Sequence, residues 1–372
     1  WPVIDISEVG AGGGSIVWRD RAGALKVGPH SAGARPGPAC YGLGGSDPTV
    51  TDANMVLGYL NPEALAGGAV PVDPELSRQA LTRVVAEPMG IDLDRAAHGV
   101  HELVSTVMTR AVKSVTTFRG RDPRDFAMIA FGGNGGIHSV SLARALGVST
   151  VIVPPGAGVF SALGLLYADI ETSASKAFLR RIDDLDTARL ADDFAALGQQ
   201  VATELSRAVD SVTLIHEADF RYHGQAFELT LPFDEGLDLT PQAAAQARDA
   251  FDQAHERTYG YRLADTAVEI VSLRVTARVR KAAGDLPEYR AKTRAQERSR
   301  SVYFGPKWGR IDAAVIDRAA LSQGPRKGPA IIQEYEGTTI LPPDCTASLD
   351  RQGNIVVTLP AMADTRATEA AE

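Results

Sequence analysis

Apolar residues fall into short continuous runs, helical stripes and alternating segments, and their succession predicts a mixed α/β protein. The clearest succession lies between Asp125 and Pro155. Phe126-Ala127-Met128-Ile129-Ala130-Phe131 is a continuous run of strand length, Gly132-Gly133-Asn134-Gly135-Gly136 interrupts it, and Ile137 to Leu146 carries helical spacing up to Gly147. Thr150-Val151-Ile152-Val153 is a second buried run, stopped by Pro154-Pro155. Such runs flanking an amphipathic helix predict parallel strands covered on both faces. Upstream, Val100, Leu103, Val104, Val107, Met108, Ala111 and Val115 make one stripe of a long helix from Asp94 to Arg119, with Gly120 beyond its end. A shorter helix starts at Thr51-Asp52 and runs through Ala53, Val56, Leu57 and Leu60, with Thr51 or Asp52 as its cap.

The N-terminal pattern is strand-like at Val3-Ile4-Asp5-Ile6 and at Ile16-Val17-Trp18, with a glycine-rich hairpin, Val9 to Ser15, between them. A dinucleotide fingerprint requires a helix after its glycines, and β-branched and aromatic residues follow here instead. Glycine turns of this kind hold anions through consecutive backbone N–H groups, with Ser15 as an added donor, or serve as an ordinary hairpin. Gly28 to Pro48 is too rich in Gly and Pro for regular structure. Its length, with Cys40, Tyr41 and Leu43 available for packing, predicts an ordered loop near a site, with Arg35 and His30 as its basic side chains. The glycines of 132–136, placed between strand and helix, allow backbone approach to a ligand or simply a tight turn.

Beyond Asp169 the pattern becomes charged and alternating. Helices are expected at Leu190 to Val209 and Ala243 to Tyr259, and strands at Val212 to Ile215, Ala218 to Tyr222 and Ala267 to Val279. A small β-rich end follows at Val302 to Phe304, Ala313 to Ile316, Ala330 to Gln333, Thr338 to Leu341 and Asn354 to Leu359. The expected division is residues 1–172 and 173–372, with a solvated basic connection at 281–300 and a disordered tail at 361–372. Arg221, His223 and Gln225 alternate on a strand and read as core-edge hydrogen bonding. His98, His101 and Glu102 lack His-Glu-x-x-His spacing and read as surface or cap neighbours of the long helix rather than a zinc site.

Composition narrows the classes. The 372 residues are 44% hydrophobic, ample for a core, with a net charge of −8 that argues against nucleic acid and anionic membranes as partners. Only Cys40 and Cys345 are present, outside any CxxC spacing, so a disulfide framework is not expected and a reducing cytoplasmic location fits. No apolar run approaches membrane-spanning length, and the chain opens on Trp1 rather than on a charged-then-apolar leader.

Several of these segments together resemble the hydantoinase A / 5-oxoprolinase family. They are Gly10 to Ser15, Ser31 to Gly42, Pro48 to Asn54, Phe131-Gly132-Gly133 with His138, Val153-Pro154, and Ser161-Ala162-Leu163-Gly164. The likeness continues in Arg221 to Gln225, Tyr259-Gly260-Tyr261, Gly328 to Ile332 and Thr338-Thr339, so it covers nearly the whole chain. It implies an actin-like ATPase lobe followed by a smaller α+β, β-rich C-terminal domain. Gly12, Gly13, Gly14 and Ser15 then correspond to the second phosphate hairpin, and Gly132, Gly133, Asn134 and Gly135 to the adenosine loop. The Ser161 to Leu166 helix corresponds to a connection between lobes, while Arg35, Asp52 and His138 are substrate or loop candidates. The implied reaction is opening of a cyclic amide, 5-oxoproline or a hydantoin, driven by ATP with Mg2+ and a hydantoinase B-type partner. Ketone carboxylation and a noncatalytic nucleotide-binding assembly module are the alternatives. Three departures stand out. The family's first phosphate motif and the N-terminal lobe bearing it are absent, Asn134 and Gly136 replace the usual Ala and Pro, and Asp252 follows Phe251 where His is common.

Overall fold

The computed structural model describes residues 7–233, 241–281 and 297–360, with only the backbone described for 241–243. The chain forms two compact units that interleave along the sequence. One comprises Ser7–Gly164 together with the C-terminal stretch described from residue 297, and the other begins at Leu165 and is described to residue 281. The expected division at residue 172 therefore does not follow compactness, because the C-terminal strands belong to the unit that also holds the glycine loops. Val3 to Ile6, most of the basic connection and the tail lie outside the described residues.

In the first unit, β1 (Ser15–Arg19) pairs antiparallel with β2 (Leu25–Ser31). The strand β2 thus extends four residues, Gly28 to Ser31, into the Gly/Pro-rich segment expected to be irregular. Helix α1 (Val50–Leu57) follows, with a capping box in which the Thr49 side chain accepts from Asp52 N–H and Asp52 accepts from Thr49 N–H. The cap is therefore Thr49, and Asp52 is its reciprocal carboxylate. Short strands β3 (Ala64–Leu65) and β4 (Val70–Pro71) precede α2 (Pro74–Leu81), which Asp73 caps, and a five-residue π-helical stretch, Thr82–Ala86, leads to α3 (Glu87–Met89). Helix α4 (Leu93–Val115) starts at the Asp92 cap and buries Val100 and Val104. Next come β5 (Met128–Ile129), α5 (Gly135–Leu146), β6 (Thr150–Val153) and α6 (Phe160–Tyr167).

β5 and β6 pair in parallel, Met128 opposite Val151, as the pattern predicts. The strand is shorter than expected, however. Phe126, Ile129 and Phe131 are about half exposed, because β5 lies at a sheet edge rather than between covering layers.

The second unit is an antiparallel sheet of β7 (Ile170–Arg181), β8 (Thr213–Tyr222), β9 (Leu229–Phe233) and β10 (Val268–Val279), in the order β7-β10-β8-β9. Helices α7 (Thr187–Glu204) and α8 (Pro241–Tyr259) complete it, and Phe178, Phe194, Phe220, Phe251 and Leu273 form its core. Strand β8 joins the two strands expected separately. Arg221 and His223 both reach Glu269, at 3.1 and 2.6 Å, and Gln225 reaches His255 at 3.3 Å, in line with the core-edge reading. Asp252 accepts the Tyr222 hydroxyl at 2.5 Å.

The C-terminal stretch returns to the first unit as β11 (Arg298–Tyr303), β12 (Arg310–Ile316), β13 (Arg326–Lys327), β14 (Ala330–Gln333), β15 (Thr338–Leu341), β16 (Thr346–Leu349) and β17 (Ile355–Thr358). One sheet runs β11-β12-β14-β15, and the other β13-β16-β17-β6-β5. Two apolar clusters fill this unit. Leu57, Leu81, Val85, Val100 and Ile331 belong to the cluster around α1, α2 and α4, and Val151, Ala330, Leu341, Ile355 and Val357 to that around β6 and the returning strands. Among the described residues no helix is long and apolar enough to cross a membrane.

Arg318 fixes the end of β6. Its side chain is 2% exposed, donates to the carbonyls of Val153 (2.9 Å), Pro154 (2.9 Å) and Gly353 (2.7 Å), and forms a two-point pair with Glu334 at 2.6 Å. Removing the guanidinium leaves three carbonyls and a partly buried carboxylate without these donors. Arg318→Met is expected to lower the unfolding free energy by roughly 3–5 kcal/mol, read by denaturant titration. A loss below about 1 kcal/mol would place this pair among ordinary surface salt bridges.

Candidate functional site

The N-terminal glycines form a turn pinned from below. Ser15 N–H donates to Gly12 C=O at 3.0 Å, and Gly13 C=O accepts from both the N–H and the hydroxyl of Thr51, at 2.8 and 3.0 Å. Gly14 C=O accepts from Ala32 N–H at 2.8 Å, tying the turn to the Gly/Pro-rich loop. The space around these glycines differs. A Cβ on Gly13 would fall 2.4 Å from Asn134 Nδ2 and 2.8 Å from Thr51 Oγ1, and one on Gly14 would fall 2.8 Å from Ser31 Oγ. A Cβ on Gly12 would meet nothing within 4 Å. The Ser15 hydroxyl is engaged inside the turn, accepting from Gly12 N–H at 2.9 Å and donating to Gly10 C=O at 3.4 Å.

Asn134 brings the second glycine loop to the first. Gly132 adopts a left-handed conformation (φ 86°) that turns the chain from β5, and its N–H donates to Ala157 C=O at 2.7 Å. Asn134 then precedes α5, and its side chain makes no bond to the helix N–H groups and packs against Gly13 instead, while Gly135 N–H donates to Gly132 C=O at 3.1 Å and Ile137 N–H to Asn134 C=O at 3.0 Å. Gly133 and Asn134 line a cavity of about 470 Å³ whose other walls include Leu60, Glu63, Tyr335 and Thr338. The Tyr335 ring is 67% exposed and rests on Gly67. Gly136 is buried at the turn into the helix, where a Cβ would lie 2.6 Å from Thr338 O, which accounts for glycine at this place in this chain.

Arg35 and Asp52 occupy contrasting positions. Arg35 is exposed on the loop after β2. Asp52 is fully buried, and its two oxygens accept from Ala39 N–H (3.1 Å), Cys40 N–H (2.9 Å), Thr49 N–H (2.8 Å), the Thr49 hydroxyl (2.8 Å) and the Ser77 hydroxyl (2.6 Å). It therefore anchors the ordered loop to α1 and α2. Burial, then the nearby Asp52 charge, pushes the Cys40 thiol up to about 12, so it is an inert core group.

His138 lies one turn beyond Asn134, 1% exposed, and its side chain is engaged with Ser105 and His101 in the core. Its ring stacks on His101 of α4, with centroids 4.5 Å apart and planes 15° from parallel. The residue expected at the surface is thus in the core. His101 is 2% exposed, with Nδ1 3.1 Å from Asn54 Oδ1 and Nε2 3.3 Å from Ser141 Oγ. Helical spacing held the signal: His101, Ser105 and Thr109 are four residues apart and form a buried polar stripe beside the apolar one. Burial pushes His138 down to about 4, and burial followed by the neighbouring His138 and His98 pushes His101 well below its ordinary value.

Both rings are neutral at pH 7. A histidine whose folded value lies below its unfolded value, ordinarily 6.5, contributes stability above pH 6.5 that is lost as the pH falls towards the folded value. The unfolding free energy is therefore expected to fall between pH 7 and 4 by an amount that, for His138 alone, is on the order of 3 kcal/mol. Denaturant titrations of the wild type and His138→Phe test this. Equal pH slopes in the two proteins would contradict the assignment.

Comparison with known proteins places this geometry in a family. The hydantoinase/oxoprolinase profile matches residues 1–174, and the hydantoinase/oxoprolinase C-terminal domain profile matches residues 183–355. The caprolactamase subunit alpha of Pseudomonas jessenii is 34% identical over 361 residues, covering 94% of this chain and 52% of that subunit. The crystal structure of the ATP-dependent caprolactamase from the same organism aligns with a TM-score of 0.81 at 33% identity, over 94% of this chain and 52% of the other. Nucleotide-free acetone carboxylase aligns with a TM-score of 0.72 at 28% identity, over 95% of this chain and 52% of the other. The chain thus spans about half the length of these relatives. Its mixed α/β architecture is of the actin-like ATPase type. With its glycine loops set side by side in that architecture, the chain belongs to the hydantoinase/oxoprolinase family.

Proposed function

We propose that this chain supplies the nucleotide-binding part of an ATP-dependent enzyme that opens a cyclic amide. The observation that carries the reading is the approach of Gly13 to Asn134, with open space over Gly12 and a cavity beside Gly133. Two backbone turns with little side-chain cover, placed next to each other, suit a polyanion joined to a planar base. Gly12 to Ser15 then face phosphates, Gly132 to Gly135 face the nucleoside, and the exposed Tyr335 ring offers a stacking wall. Arg35 is the cation on the adjacent loop, and Asp52 holds that loop in place.

An amide carbonyl is a weak electrophile and its nitrogen a weak leaving group. ATP, when bound, supplies a phosphoryl group that activates the carbonyl oxygen for attack by water. The contribution of this chain is positioning: fixed backbone donors aimed at developing negative charge, and exclusion of bulk from the turn. Magnesium would accompany the nucleotide and neutralise charge on its phosphates. Ring opening is preferred to ketone carboxylation because the likeness to caprolactamase, at TM-score 0.81, exceeds that to acetone carboxylase, at 0.72. The substrate is a small lactam of the 5-oxoproline or hydantoin type. The subunit name of the relative supports a hydantoinase B-type partner.

Gly12→Ala separates ligand contact from folding, because its Cβ enters open space and its φ is unstrained. The melting temperature should stay within about 2 °C of wild type while magnesium-ATP affinity falls at least tenfold, about 1.4 kcal/mol. Unchanged affinity would remove the turn from the nucleotide site. Phosphate release by this chain together with a partner carrying the remaining lobe should rise on addition of caprolactam, 5-oxoproline or hydantoin. No rise with any lactam while ATP is still turned over would leave the carboxylase reading, and nucleotide binding without any turnover would leave the noncatalytic one.

A further inference from the structure

The histidine pair lies behind both glycine loops, between α1, which grips the first, and α5, which follows the second. On α1, Thr51 grips Gly13 C=O, and Asn54, the next residue on that face, meets His101. On α5, Asn134 packs against Gly13, and His138, one turn on, stacks on His101. His101 belongs to α4, the helix between them in this arrangement. Ser141 of α5 also reaches His101 Nε2.

The hydrogen bonds fix the tautomers. The Ser105 hydroxyl donates to the His101 carbonyl at 2.8 Å, so at 3.2 Å it accepts from His138 Nδ1–H. His138 Nε2 is then a bare lone pair, buried and without a partner. On His101, the Asn54 carbonyl oxygen accepts from Nδ1–H, and the Ser141 hydroxyl donates to Nε2. Both rings are held as neutral Nδ1–H imidazoles in one orientation. The ionisable groups that influence His101 are His138 across the stack and His98 on its own helix, while Tyr59 adds a ring edge at 5.3 Å.

We propose that His101 is a positioning residue for the nucleotide site, setting the spacing between the Gly12–Ser15 turn and the Gly132–Gly135 loop by holding Asn54 and His138 at once. The assignment rests on the nucleotide reading above. It differs from simple core filling, because an isosteric apolar ring or chain fills the volume and still frees α1 from α5. It also gives the orphaned Nε2 a consequence. A proton added there creates an unpartnered N–H and a charge against the His101 ring, so the clamp holds only while both rings are neutral.

The test uses three variants, with magnesium-ATP affinity at pH 7.5 and amide hydrogen exchange as readouts. His101→Leu should weaken magnesium-ATP at least tenfold and speed exchange in residues 12–15 and 134–138 by a similar factor, leaving exchange in β14 and β17 unchanged. His101→Asn keeps a donor where Nδ1 stood and should restore affinity to within about threefold of wild type. Affinity unchanged in His101→Leu, or exchange that speeds uniformly across the unit, would overturn the proposal and leave the nucleotide reading standing. A wild-type chain that binds no nucleotide would remove both, so the two failures are distinct. Should His101→Leu not fold, Ser141→Ala decides, since it deletes only the hydroxyl at Nε2. A loss of threefold or more supports the clamp, and no loss overturns it.

Discussion

Asp52 gathers backbone and hydroxyl donors from three separate pieces of chain, and the candidate site depends on that convergence. A buried carboxylate is tolerable only when its lone pairs are met by fixed donors, and the loop at Ala39-Cys40, the helix cap at Thr49 and Ser77 of α2 supply them. This sets the first turn of α1. Thr51, one residue earlier, therefore presents its N–H and hydroxyl to Gly13 at a defined place, and Asn134 completes the contact from the other side. The glycine turn is shaped by what stands behind it rather than by glycine flexibility.

The buried strands β14 and β15 were legible almost to the residue. Ala330–Gln333 and Thr338–Leu341 bury Ala330, Ile331, Ile332, Ile340 and Leu341 and are preceded by Pro329 and Gly337, so pattern and packing agree. Two-residue strands such as Ala64–Leu65 carry no period to read. Helix α2 was missed although Asp73-Pro74-Glu75 is a cap, a first-turn proline and an acidic first turn in succession. The run at 126–131 looked like a buried strand because composition reports hydrophobicity and not neighbours. Its exposure at a sheet edge is set by elements elsewhere in the chain.

The site was legible as motifs and illegible as geometry. Glycine content marked both loops, but nothing local revealed that Gly13 faces a side chain, Gly14 a serine and Gly12 empty space. The Ser15 hydroxyl bonds to the backbone of Gly10 and Gly12, partners without a side-chain signature. The apolar stripe of α4 alone puts His101 off the buried face, as a surface or cap neighbour. The polar stripe beside it packs against Asn54 and His138, which are distant in sequence, and only tertiary contact joins them.

The interleaving of the two units has a consequence for biosynthesis. Strand β6 finds its antiparallel partner only in Ile355–Thr358, so about 200 residues must be translated between Val153 and Ile355 before that edge is closed. During that interval the intervening antiparallel sheet can form from its own strands, while an apolar ribbon upstream waits with open backbone groups. Nascent chains stalled in this window should be the species most dependent on chaperones, and the second unit, though later in sequence, is free to mature first.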